Sequence, residues 1–143
     1  MFKFECNSSD FTEDIKNICG EILNLYLKKT GNDYRALSEL ERQVLAVYCF
    51  GVADGIRQNK YGRLSNKDIN AGIINLYGSF FGYSENQSAE LFDTIVDAIQ
   101  DGDPKNTHMA IVHQGLDGYF MWEEDQREDV VENIYRIIEI LQR

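Results

Sequence analysis

His113 and Asp117 stand four residues apart in the run Met109-Ala110-Ile111-Val112-His113-Gln114-Gly115-Leu116-Asp117. On a helix that spacing stacks an imidazole one turn from a carboxylate, which could orient the ring as a general base. Such a base needs a nucleophile to activate, and no Ser or Cys stands in a recognisable elbow. His113 also shares a helical face with Met109, Val112, Leu116 and Phe120. A lone histidine on an apolar face is more often a core residue whose ring nitrogens are satisfied by neighbours. His113 is therefore expected to be buried and structural, with a small helical enzyme using His113 and Asp117 as the alternative. Metal chemistry finds less support, because His108 and His113 point about 140° apart around a helix. Neither H-E-x-x-H nor the E-x-x-H pairs of di-iron bundles occur. Walker and G-x-G-x-x-G loops are lacking too, so no cofactor is expected.

The carboxylates carry more information. Glu90, Asp93, Asp97 and Asp101 follow spacings of three, four and four, which line them up on one helix face. Phe92, Ile95, Val96 and Ile99 form the opposite stripe. No Lys or Arg occurs from Asp68 to Pro104, so these like charges have no local cation and repel one another. The last helix repeats the arrangement, with Glu124, Asp125, Glu128, Asp129 and Glu132 on one face and only Arg136 to offset them. Stripes of this kind are either solvated faces or surfaces awaiting a basic ligand.

The elements that position these groups are helical throughout. Phe11, Ile15, Ile18, Cys19, Ile22 and Tyr26 recur at helical spacing, with Ser9 or Asp10 as candidate cap and Gly31 as stop. Ser38-Glu39-Leu40-Glu41 reads as a capping box opening a second helix toward Lys60 and Gly62. From Val44 to Ile56 that helix is apolar on nearly all sides, which predicts a central position, with Gly51 and Gly55 admitting a close neighbour. Ser65 opens a third helix ended by Gly82, and Ser84 a fourth ended by Gly102. After Pro104 a fifth helix runs from about Asn106 to Trp122, with a break expected at Asp117-Gly118. Val130, Val131, Ile134, Ile137, Ile138 and Leu141 mark the last. Phe2, Phe4 and Cys6 alternate as a strand would but are too few to found a sheet. The expected fold is all-α, a compact bundle of about six helices around a central apolar helix, forming one domain over residues 1–143.

Bulk properties narrow the function. The longest apolar run, Val44 to Ala53, is half of the roughly 20 residues that span a bilayer, so no membrane helix is expected. The amino terminus lacks the pattern of a secretory signal, which points to a cytoplasmic protein. Cys6, Cys19 and Cys49 have neither even number nor C-x-x-C spacing and are expected to be reduced thiols, mostly in the core. Net charge is −10, and it is uneven. Residues 1–67 hold ten Lys/Arg and nine Asp/Glu, whereas residues 68–143 hold four and fifteen. This field repels nucleic acid and anionic lipid and attracts a basic partner, mostly by raising its association rate. Helices two and three follow one another as in a helix-turn-helix, but the acidic sequence that follows is the reverse of a DNA-binding footprint.

The stretch from Met109 through Asp117, Gly118 and Tyr119 to Trp122 resembles a motif of the immunity protein 48 family. So do Leu40-Glu41-Arg42-Gln43 with its apolar helix and the Phe81-Gly82-Tyr83-Ser84 turn. The resemblance covers roughly Leu37 to Trp122, leaving the first 36 residues outside it, and assigns no catalytic or contact residue. It implies an all-α protein encoded beside a bacterial polymorphic toxin, protecting its producer by occluding the toxin domain. A cognate toxin domain with a basic cleft is then the expected partner. The expected contact residues are Glu90, Asp93, Asp97, Asp101, Trp122, Glu123, Glu124, Asp125, Glu128 and Asp129, with exposed aromatics around Trp122. An acidic adaptor or nucleic-acid mimic is the remaining alternative.

Overall fold

The computed structural model describes residues 8–31, 33–103 and 105–142. Among them are six α-helices and no strand: α1 (Ser8–Thr30), α2 (Glu39–Lys60), α3 (Asn66–Phe81), α4 (Glu85–Asp101), α5 (Thr107–Glu123) and α6 (Arg127–Leu141), with a 3-10 turn at Tyr34–Ala36. The all-α bundle is as expected. The strand-like Phe2, Phe4 and Cys6, and Pro104, lie outside the described residues.

Local chemistry accounts for most helix ends. Ser38 and Ser84 each close a capping box, accepting from the N3 backbone N–H while the Glu41 or Gln87 side chain accepts from the cap's own N–H. Ser65 accepts from Asp68 N–H, and Asn106 from Met109 N–H. Gly82 and Gly102 end α3 and α4 in the left-handed conformation, which costs glycine least. Helix α1 begins at Ser8, a residue or two before the caps expected.

The central position of α2 is confirmed. Its side chains from Val44 to Ala53 are all buried, and α1, α3, α5 and α6 surround it. The closest approach is to α5. A Cβ on Gly51 would fall onto the Val112 carbonyl oxygen and lie 2.9 Å from Gly115 Cα. Gly55 is covered by the Tyr119 ring, and Gly118 by the Tyr48 hydroxyl. Three pairings of a glycine with whatever faces it therefore let two backbones meet along α5, which runs unbroken through Asp117-Gly118, contrary to the break expected there. Those glycines are part of the contact face, and burial against α2 outweighs their low helix propensity. Helix α4 rests on α3 and α5 at the edge of the bundle, with Phe92 reaching Phe50 of α2 at 5.6 Å between ring centroids.

Glu41 ties the first two helices together. Its carboxylate accepts from Ser38 N–H at 3.0 Å and from the Tyr26 hydroxyl at 2.7 Å. Burial pushes its pKa up, but hydrogen bonds from the Ser38 backbone, the Tyr26 hydroxyl and the Ser38 side chain outweigh this and hold it below the ordinary value. A depressed folded-state pKa contributes stability that is fully present above the unfolded value of about 4.3 and is lost as pH falls through the folded value. Wild type should therefore lose more stability between pH 6 and pH 3 than Glu41→Gln, by urea denaturation at both pH values. Equal losses would show that Glu41 contributes nothing to the acid sensitivity.

The thiols of Cys19 and Cys49 are free and buried. Desolvation raises the Cys19 pKa well above that of a solvated thiol, which keeps it protonated and inert.

Candidate functional site

Helix α4 presents Glu90, Asp93, Asp97 and Asp101 to solvent along its length, as their spacing predicted. Its buried side is Ser88, Phe92, Ile95 and Ala98. Ile99, expected on that side, is 39 % exposed, because the packed face is turned toward the small residues Ser88 and Ala98. No salt bridge of the described residues involves any of the stripe carboxylates. Asp101 also falls in the last turn of α4, with Asp97 one turn before it, so the negative end of the helix dipole disfavours the end of the row. Among the described residues no group of three or more His, Cys, Asp or Glu could hold a metal ion. The stripe is an extended anionic edge rather than a cation cage.

The second acidic cluster differs in shape and in company. Glu124 and Asp125 do not belong to the last helix: Glu124 caps α5, and Asp125 sits in the turn at φ 61°. Gln126 N–H reaches the Met121 carbonyl at 2.9 Å and Asp125 N–H the Trp122 carbonyl at 3.1 Å, which is a Schellman closure with aspartate where glycine is commoner. Glu123, Glu124, Asp125, Glu128 and Asp129 are all exposed. Cations from α1 and from the start of α6, however, flank this end. Lys29 bonds Glu132 at 2.8 Å, holding that carboxyl below its ordinary pKa, and Arg127 approaches Glu21 at 3.5 Å. Lys28 and Lys29 line a groove with Glu128 and Asp129. Arg136 is thus not the only offset to this cluster. Local spacing cannot show Lys28 and Lys29, which come from another helix, whereas Arg127 stands on α6 itself and is legible beside Glu128.

Trp122 is corrected from an exposed aromatic to a core residue. It is 4 % exposed, and the Arg127 guanidinium lies 4.6 Å from its ring centre. Among the described residues the exposed aromatics are Phe120 and Tyr135. Trp122 is accordingly no candidate for direct contact.

His113 is corrected as well: it is exposed, as is Asp117. The buried face of α5 consists of Ile111, Val112, Gly115, Gly118, Tyr119 and Trp122. Counting only bulky residues placed the core around Met109, Leu116 and Phe120, whereas the glycines that admit α2 set the true face. Neither His113 nor Asp117 lines the grooves beside Tyr26, Lys28, Ser88, Ile111 or Phe92. His113→Gln should consequently change stability by less than about 0.5 kcal/mol, as exposed substitutions usually do. A loss of 1 kcal/mol or more in chemical denaturation would show that the imidazole is held by contacts in the folded protein.

The family model for immunity protein 48 matches residues 11–142. The chain belongs to the immunity protein 48 family. The match extends beyond Leu37 to Trp122 at both ends, bringing nearly all of α1 and α6 within the family's domain. No curated protein and no solved structure matches the chain. As an immunity protein it has its candidate surface on α4, with the α5–α6 turn as a second, partly neutralised patch.

Proposed function

We propose that this immunity protein binds a toxin encoded beside it and neutralises it by occlusion, laying the carboxylate edge of α4 against a basic surface of the toxin. The observation that carries this reading is the unpaired row of Glu90, Asp93, Asp97 and Asp101 on an edge helix. Repulsion within the row and its extension to the wrong end of the helix dipole both cost stability in the free protein. A cationic partner relieves both. Glu123, Glu124, Asp125, Glu128 and Asp129 form the secondary patch, at the far end of α5 from the α4–α5 connection and about 25 Å along that helix. Both patches act at the rim, steering the encounter, and neither implies a cofactor or a nucleic-acid ligand.

The test is protection. The toxin domain encoded beside this chain, expressed alone in a bacterial host, should arrest growth, and co-expression of the chain should restore it. The purified chain should also form a stable complex with an inactivated toxin domain. Continued arrest, together with no complex at micromolar concentrations, would sink the proposal.

A further inference from the structure

The chain carries no charged residue between Asp68 and Glu85, although 27 % of its residues are charged. Those residues include the outward side of α3 beyond its first turn, where Ala71, Asn75, Gly78 and Ser79 are exposed; the exposed Lys67 lies one turn before Ala71. A solvated helix face in so charged a protein would ordinarily carry lysines and glutamates, whereas the centre of a protein interface is depleted of charge. This face also forms one wall of a groove of about 460 Å³ between α3 and the start of α4. Ser88 of α4 lines the groove, only 1 % exposed, and its hydroxyl has no hydrogen-bond partner. Leaving a buried hydroxyl unmatched is costly, so a group that supplies the missing bond gains by entering. Gly78 leaves the groove open: a Cβ there would meet nothing nearer than the Tyr83 carbonyl at 3.8 Å.

We infer that this groove receives a helix of the toxin, one with small or apolar uncharged residues along its contact face, a polar side chain reaching Ser88, and Lys or Arg flanking them. The inference rests on the proposed function and locates the uncharged centre of that interface. A helix is indicated because the fold already solves the same problem once, where α2 receives α5 through Gly51 and Gly115. From Ala71 to Ser79 the small face runs about 12 Å, enough for two turns of a partner helix. Charge decides between the toxin and a second copy of this chain. Glu85 stands at the rim of the groove, and the α4 stripe begins five residues later at Glu90. A second copy of net charge −10 would bring like charges together there, whereas a basic segment finds complementary ones.

The probe is the inactivated toxin domain encoded beside this chain, titrated against wild type, Gly78→Gln, Ala71→Gln and Ser88→Ala. Gly78→Gln fills the groove from within while improving helix propensity, so its melting temperature should equal or exceed that of wild type. Its affinity should fall at least tenfold, and Ala71→Gln, at the other end of the face, should show the same loss. Ser88→Ala should bind several-fold more weakly with no loss of stability. Wild-type affinity in the folded glutamine variants would overturn the groove while leaving the proposed function standing, since the toxin would still be bound. Absence of toxin binding by wild type itself would overturn both. A wild-type dimer in light scattering that Gly78→Gln dissociates would also overturn it, in favour of a second copy of this chain.

Discussion

Gly51→Leu is expected to lower the melting temperature by about 10 °C or more, the largest effect of any single change considered for the free protein. A Cβ at this position would overlap the Val112 carbonyl oxygen and lie 2.8 Å from the Leu116 nitrogen. Both obstacles are backbone, which has no rotamer in which to retreat, so α5 must move away from α2 as a body. Overpacking of an ordinary core costs about 1 to 3 kcal/mol, and a clash with backbone belongs at or beyond the upper end. Gly115→Leu should do the same from the other side, since its Cβ would fall onto the Tyr48 carbonyl oxygen. Gly62→Ala provides the control, because nothing lies within 4 Å of a Cβ there. A Gly51→Leu variant that melts within 2 °C of wild type would contradict the glycine contact between the two helices.

That contact also explains where the sequence was legible and where it was not. Helix starts are local events, and Ser38, Ser65 and Ser84 announce them because a capping serine and its partner lie three residues apart. The central place of α2 follows from its own residues, since no surface helix would leave Val44 to Ile56 apolar on nearly every side. The face that α5 buries is different: it depends on the neighbour. Gly115 and Gly118 carry no hydrophobic signal, yet they turn α5 so that His113 and Phe120 look outward. The same limit hid the α1 cations of the second acidic patch. Lys29 is more than a hundred residues from Glu132 in sequence, and only the packing of α1 on α6 brings them to 2.8 Å. Trp122 was misplaced for a related reason, because the tight turn at Asp125 folds Arg127 back over its ring. The acidic side of α4 is legible in its spacing, since a helix at the edge of the bundle leaves its outer face as the sequence alone would have it.

Neutralising that stripe is the second large effect, and it separates binding from folding. Asp93→Asn, Asp97→Asn and Asp101→Asn together should leave the free protein at least as stable as wild type, because they remove like charges at i,i+4 spacing and a carboxylate from the negative end of α4. Association with the toxin should nevertheless slow by about tenfold at low ionic strength, within the range that electrostatic steering supplies. Dissociation should change little if the carboxylates act at the rim. Truncating a buried charged pair would instead appear in the dissociation rate, at a cost of about 2 to 5 kcal/mol. The two rates therefore distinguish an interface that α4 merely guides from one that α4 anchors.

The most direct test of the account is the association rate constant of wild type and of this triple variant with the inactivated toxin domain, measured by stopped flow at about 20 mM and about 500 mM salt, where the Debye length falls from roughly 20 Å to roughly 4 Å. The account predicts a wild-type rate that falls steeply with salt and a variant rate that is lower at low salt, flatter in its salt dependence and close to wild type at high salt. Equal rates for the two proteins at both ionic strengths, with equal affinities, would contradict it and show the α4 carboxylates to be no more than a solvated face.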